Sequence, residues 1–475
     1  MPMIRPMARL AAPAVALTTL FCCLVVVSAA SATSVPPPTP SVRYNVLDGY
    51  ASPGTPTELN KVGILKIGDP GAKNILVLNP GTSAGGGYFA PLARSLASKL
   101  PNWQVWSVER RENFLEDQSE LNKAKRGKAT AQQVFDYYLG FLNDPSVTKH
   151  VAFQQNADVG YARQWGMKVE VKDLHKVVKQ AAKRNRNVVM GGHSLGGSIT
   201  AAYATWNFSG KPGADDLSGL VLIDGASSTT PITASDAQTR LDGVNDPDSS
   251  PWLAFGGIGA PLAGLFGTVG SSLAKLDPDG PAILGDWALL PANLKTPVPA
   301  TNEAGYGYDT DTETSPSSLI AAQVHSGQLA ASGDPRGWER NGELTPIQRW
   351  ASMFSGWGIQ GLDGTAWYHP LRLTIDSGAV GNGIANPAQQ ILDVHSTKGE
   401  DLSKNLKIYA FCAALGADRV PAAASALAEQ SGIPKRNLTL LDRSSTYAHN
   451  DPNSAAPKGN EFLKNLRPFL RDTAR

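Results

Sequence analysis

The apolar residues of this chain fall into two patterns. Short runs such as Asn74-Ile75-Leu76-Val77-Leu78, Leu220-Val221-Leu222-Ile223 and Ile408-Tyr409-Ala410-Phe411 are nearly continuous. A strand covered on both faces reads this way, whereas a strand with one wet face alternates. Further strands are predicted at 103–108, 187–190 and 438–441, and two strand-like stretches at 43–50 and 61–67 precede them. In between, apolar positions recur at helical spacing over 129–142 and 171–182. The last such segment is 460–470, with Phe462, Leu463, Leu466 and Leu470 on one face. Strands that alternate with helices predict an α/β fold, a mostly parallel sheet with helices on both faces.

The pattern fails between Asp224 and Lys407. This stretch is rich in Gly, Pro, Ser and Asp and carries six of the ten tryptophans. Within it, residues 258–267 (Ile-Gly-Ala-Pro-Leu-Ala-Gly-Leu-Phe-Gly) have almost no polar face. They read either as a segment lying over a pocket or as a buried helix of a second subdomain. No internal repeat is present. Residues 35–40 (Val-Pro-Pro-Pro-Thr-Pro) exclude helix and central strand and read as an extended linker.

Charge adds an exclusion. Arg5 and Arg9 open a segment with an apolar stretch at 10–27 and a small-residue site at Ala30-Ser31-Ala32, the pattern of a secretory signal peptide. Pro13 and the abrupt change to Ser, Ala and Thr favour cleavage over an uncleaved anchor, so no stable membrane span is expected afterwards. Phe21 ahead of Cys22 argues against a lipoprotein. Without Arg5 and Arg9 the 43 basic residues become 41, equal to the 41 acidic ones. A neutral chain of this kind gives no reason to expect nucleic acid as a partner. Export from a bacterium is the expected localisation. Cys22 and Cys23 leave with the signal, so Cys412 has no partner for an internal disulfide. In its apolar run it reads as a packing residue. No paired spacing of metal ligands is present, and neither a metal nor a cofactor is expected.

The candidate chemistry sits at Asn187-Val188-Val189-Met190-Gly191-Gly192-His193-Ser194-Leu195-Gly196-Gly197. An apolar run ends in Gly-x-Ser-x-Gly, and small residues follow at Ser198, Ala201, Ala202 and Ala204. A strand, a sharp turn with Ser194 at its apex and a closely packed helix account for this pattern. It resembles the nucleophile elbow of the α/β-hydrolase superfamily, and Gly-His-Ser-Leu-Gly-Gly is common in its lipase-like members.

The resemblance implies an α/β-hydrolase core over 43–225 and 406–475, with a cap or lid insertion at 226–405 between the sixth and seventh strands. Residues 1–32 are then the signal and 33–42 the Pro-rich linker. It also implies a serine nucleophile, an acid and a histidine in that chain order. Of seven histidines only His449 follows the last strand, in Tyr447-Ala448-His449-Asn450-Asp451-Pro452, and it is the expected base. His193 lies within the elbow, where its side chain is expected to point away from Ser194. The expected acid is Asp418, just past the seventh strand in Leu415-Gly416-Ala417-Asp418. Asp224, at the tip of the sixth strand, is the rival. The oxyanion donors implied are the N–H of Leu195 and that of Thr82, with Ser83 as alternative, in the glycine-rich loop 79–89. Many relatives have His-Gly where this chain has Pro80-Gly81. Glu109-Arg110-Arg111 reads as a solvated ion-pair cluster, with a place at the pocket mouth as the alternative.

These residues together imply a secreted serine hydrolase of the esterase or lipase type, acting on a small-molecule or lipid ester through an acyl-enzyme. An amidase, a peptidase or an acyltransferase of the same fold is the alternative, because the chemistry of Ser, His and Asp does not separate esters from amides. A catalytically silent binding protein is the third class, and the intact Ser194, His449 and acid candidates argue against it.

Overall fold

A computed structural model describes residues 40–474. The expected signal peptide, residues 1–32, and residues 33–39 of the expected linker lie outside the described residues.

Eight strands form one sheet: β1 (Val42–Asp48), β2 (Lys61–Gly68), β3 (Asn74–Asn79), β4 (Trp103–Glu109), β5 (Asn187–His193), β6 (Gly219–Ile223), β7 (Lys407–Cys412) and β8 (Leu438–Asp442). Their order across the sheet is β1-β2-β4-β3-β5-β6-β7-β8. β2 runs antiparallel to both β1 and β4, and all other neighbours are parallel. This is the strand order of the α/β-hydrolase fold, as the sequence implied.

The continuous apolar runs are the central strands. Every residue of β3, β4, β5 and β6 is buried, whereas the edge strands β1 and β8 alternate or lie largely open. Alternate residues serve opposite faces. Leu76 and Leu78 of β3, Val189 and Val221 pack with the helices α1 (Ala90–Lys99) and, from the C-terminus, Glu461–Thr473. Ile75 and Val77 pack on the other face with Val188 and Met190, beneath the helix Met167–Ala181 and the helix Leu195–Ala204. Each fully buried aliphatic side chain contributes roughly 1.5–3 kcal/mol from removal of its surface from water, so two such layers dominate the stability of the core.

In chain order after α1, the helices that matter below are α2 (Ala131–Tyr138), α3 (Met167–Ala181), α4 (Leu195–Ala204), α5 (Leu262–Leu276), α6 (Asn302–Thr310), α7 (Ile347–Phe354), α8 (Arg419–Gln430) and α9 (Glu461–Thr473). α5, α6 and α7 belong to the long stretch between β6 and β7, with a small hairpin of Gln328–Gly333 and Arg336–Glu339. That stretch does not have a core of its own. Trp252, Leu265, Val269, Trp287 and Trp367 share one apolar cluster with Leu121, Val134, Phe135 and Tyr138, from the segment between β4 and α3. The tryptophan-rich insertion is therefore completed by a second excursion of the chain, the segment between β4 and α3 that holds the helical spacing at 129–142. No helix among the described residues is long and apolar enough to cross a membrane.

Candidate active site

The turn from β5 into α4 holds Ser194 at φ +56°, ψ −126°. A residue with a side chain rarely takes this backbone, and it persists only where the surroundings enforce it. They do so by contact. A Cβ on Gly192 would strike the carbonyl of Gly196, one on Gly196 would strike that of Asn79, and one on Gly225 would strike that of Ser194. The glycines are thus spaced by the packing of three strand ends around one serine. The Ser194 N–H is held by the Ile223 carbonyl at 3.0 Å. Leu195 opens α4, so its N–H has no acceptor within the helix and is free to meet a ligand.

His449 stands in the loop after β8 and is buried, with 2% of its surface exposed. Its Nδ1 lies 2.6 Å from Oδ2 of Asp224, which is equally buried. A carboxylate only accepts, so Nδ1 carries the proton and Nε2 is left as the basic nitrogen. Ser194 and His449 line one cavity, although no hydrogen bond joins Ser194 Oγ to His449 among the described residues. Such bonds commonly tighten only when substrate is bound.

Asp418, the acid expected from the sequence, makes no bond to His449 among the described residues; Asp224 does. Asp418 is exposed, at the start of α8. The loop that separates it from β7 serves Asp224 instead. Oδ1 of Asp224 accepts the N–H of Ala413 at 2.6 Å and that of Gly416 at 3.0 Å. A Cβ on Gly416 would come within 2.5 Å of that same oxygen, so the loop closes over Asp224 only with glycine there. Two backbone N–H groups and the imidazole therefore fix all of one carboxylate. Asp224 itself has φ +42°, which turns its side chain inward from the tip of β6.

His193, expected to point away from Ser194, bonds through its ring to other residues of the site. Its ring is buried on the cavity wall and lies 4.3 Å from that of His449, centroid to centroid. Nε2 of His193 donates to the His449 carbonyl at 2.8 Å. Burial, and then the neighbouring His449, hold His193 well below the usual histidine range, so it is a neutral ring that grips the backbone of the His449 loop. From the insertion, His325 and Thr345 bond to Asp451, at 2.6 Å and 2.8 Å, and the Asp451 carboxylate accepts the Ala448 N–H. The loop is pinned from both sides.

Arg110 is not a solvated ion pair. It is 1% exposed, and its guanidinium donates to the carbonyls of Pro80, Gly81 and Ala84 at 2.9, 2.9 and 3.0 Å, with Nε on Glu112 at 2.7 Å. Arg111 is likewise buried, on Asp173. A trans peptide sets its N–H opposite its carbonyl. With the Gly81 carbonyl turned to Arg110, the Thr82 N–H faces the other way, and Thr82 lines the cavity. The Ser83 N–H is directed instead to His369 Nδ1, at 3.4 Å. Both oxyanion candidates line the cavity, and of the two the Ser83 N–H already has a partner in His369.

The cavity has a volume of about 120 Å³, and its wall is mainly apolar, with Ala263 and Phe266 of α5, Leu284, Leu294 and Phe354 among its residues. Of the run at 258–267, Ile258 and Gly267 are also in the wall, and its second half opens the helix α5, in which Gly264 and Leu265 are buried. Cys412 is buried at the end of β7, and burial followed by the nearby Asp442 pushes its thiol up to about 12, which suits packing rather than nucleophilic work. Sequence reasoning passed over the roles of Arg110 and His193. Arg110 offered a signal only in its place directly after β4, and His193 only in its adjacency to Ser194.

No family model matches the chain, and no curated protein matches it. Among solved structures the chain is similar to a provisionally assigned lipase from Sulfolobus solfataricus, at 13% identity over 91% of this chain and 95% of that one, with a TM-score of 0.48. It is also similar to a thermostable carboxyl esterase from Bacillus coagulans, at 10% identity over 91% and 99%, with a TM-score of 0.42. A monoglyceride lipase from Saccharomyces cerevisiae is 12% identical over 92% and 95%, with a TM-score of 0.38. Likeness this remote does not assign an activity, which has to be argued from the chain's own residues.

Proposed function

We propose that this protein is an exported serine hydrolase that cleaves carboxylic esters through an acyl-enzyme on Ser194. His449 Nε2 takes the proton of Ser194 Oγ as the oxygen attacks the ester carbonyl. The oxyanion that forms is met by the N–H groups of Leu195 and Thr82. His449 then passes its proton to the departing alcohol, and the acyl-enzyme remains. Water, deprotonated by His449, attacks that acyl group, Ser194 leaves with the proton, and the carboxylic acid is released. Asp224 keeps Nδ1 protonated throughout and stabilises the imidazolium.

The observation that carries this reading is the conjunction at one cavity: a serine in a strained elbow, and a histidine whose Nδ1 is bound to a buried carboxylate. An apolar wall supports an ester with an acyl or aromatic part over a peptide. The test is a panel of chromogenic esters against amino-acid anilides, alongside labelling by a fluorophosphonate probe. Ester turnover with labelling at Ser194 is expected. Faster anilide cleavage would move the protein to the amidase class, and absence of both turnover and labelling would remove it from the enzymes.

Arg110 provides a sharper test of the oxyanion loop. Lysine at this position keeps the charge but loses the fork that reaches three carbonyls at once. Arg110→Lys is expected to lower kcat by roughly 10–100-fold with little change in KM, because a displaced donor harms the transition state more than the ground state. Steady-state kinetics decide it, and an unchanged kcat would sever Arg110 from catalysis.

A further inference from the structure

The cavity beside Ser194 has one unexplained feature in its wall. Tyr306 and Asp309, one turn apart on α6, both line it. Residues at this spacing share a helix face. Tyr306 is 5% exposed, yet its hydroxyl has no hydrogen-bond partner, and neither does the buried Oδ1 of Asp309. Asp309 makes no ion pair among the described residues, and no Lys or Arg lines the cavity. Among the described residues Asp309 is its only carboxyl group. Buried polar groups are nearly always satisfied, so two unpaired ones on residues of the cavity wall call for a partner, which a ligand filling the cavity can supply.

The chemistry of that partner follows from the state of the carboxyl. Burial pushes Asp309 well above the usual carboxylate range, and no cation opposes the shift. That shift favours the protonated carboxyl, which offers a donor and an acceptor. The Tyr306 hydroxyl is the same. An alcohol, which gives one hydrogen bond and accepts others, matches such a pair. A plain alkyl chain would leave both unmatched, and an ammonium group would require the carboxylate that burial disfavours.

We propose that Asp309 and Tyr306 form a subsite for a hydroxyl carried on the chain of the ester that fills the cavity, so that the substrate is a hydroxylated ester. This rests on the serine-hydrolase reading of Ser194. A site built to bond a hydroxyl rejects the analogue that lacks it, because its own polar groups are then stranded.

The experiment compares kcat/KM for naphthyl esters of hydroxyalkanoic acids with those of plain alkanoic acids of equal length. A second arm compares monoesters of diols with esters of plain alcohols, and a third carries trimethylammonium in place of the hydroxyl. The hydroxylated ester is expected to be preferred by about 10-fold or more in the acyl or the alcohol arm. Asp309→Leu should abolish the preference, and Asp309→Asn, which still donates and accepts, should keep most of it. Fluorophosphonate labelling of Asp309→Leu at the wild-type rate would establish that its reacting groups are intact. Equal rates in both hydroxyl arms, a preference unchanged in Asp309→Leu, or a preference for trimethylammonium would each overturn the subsite. Failure of the unaltered protein to hydrolyse any ester or to be labelled would instead strike the serine-hydrolase reading beneath it.

Discussion

Ser194→Ala is expected to lower ester hydrolysis by about 10⁴–10⁶-fold and to leave no site for a fluorophosphonate. The size follows from what the change removes. Without Oγ there is no acyl-enzyme, and what remains is whatever the Leu195 and Thr82 N–H groups do for a water molecule. The fold should hardly notice. Ser194 has no side-chain role in the core: its structural bonds are made by its N–H to Ile223 and its carbonyl to Gly197, and alanine keeps both. The Cβ is common to both residues, so the strain at φ +56° is unchanged. Thermal unfolding of the variant should match that of the parent to within about 0.5 kcal/mol, as for substitutions that break no buried interaction. Full activity in a folded Ser194→Ala protein would end the proposal, whatever the neighbouring geometry.

The parts of this protein that the sequence made legible are those in which one stretch of chain determines its own surroundings. β3 and β6 were readable because a strand buried on both faces has no polar positions to hide. The elbow was readable because the glycines at 192, 196 and 197 answer to contacts within a few residues, or with the adjacent strand ends. His449 could be found by chain order. What stayed hidden depends on which of two nearby groups turns inward. Asp224 and Asp418 follow neighbouring strands, and nothing local separates them. The choice is made by the N–H groups of Ala413 and Gly416, which face Asp224 across the sheet end. Arg110 hid for a related reason. Its three acceptors are carbonyls, which every residue has, so no residue type on loop 80–84 marks them as partners. The pairing of the tryptophan-rich insertion with the segment before α3 is likewise a tertiary fact, carried by an apolar cluster drawn from two distant stretches.

The acid is where the two readings part most sharply, and a pair of amide substitutions separates them. Asp224→Asn is expected to cost about 10⁴-fold in kcat while the protein still folds. The reason lies in how the carboxylate is held. Oδ1 faces two backbone N–H donors, from Ala413 and Gly416, so the oxygen of an asparagine must occupy that position. Its amino group is then left at the place of Oδ2, 2.6 Å from His449 Nδ1. Two donors cannot share that contact, so Nδ1 must give up its proton and accept. The proton moves to Nε2, and a histidine in that tautomer has no lone pair to take the proton of Ser194. The loss therefore falls on kcat, with substrate binding little altered. Asp418→Asn removes a charge from an exposed residue at the start of α8 and should change kcat/KM by no more than about 2-fold. The reverse pattern, a silent Asp224→Asn and a crippled Asp418→Asn, would mean that the bond from Asp224 to His449 does not orient the base.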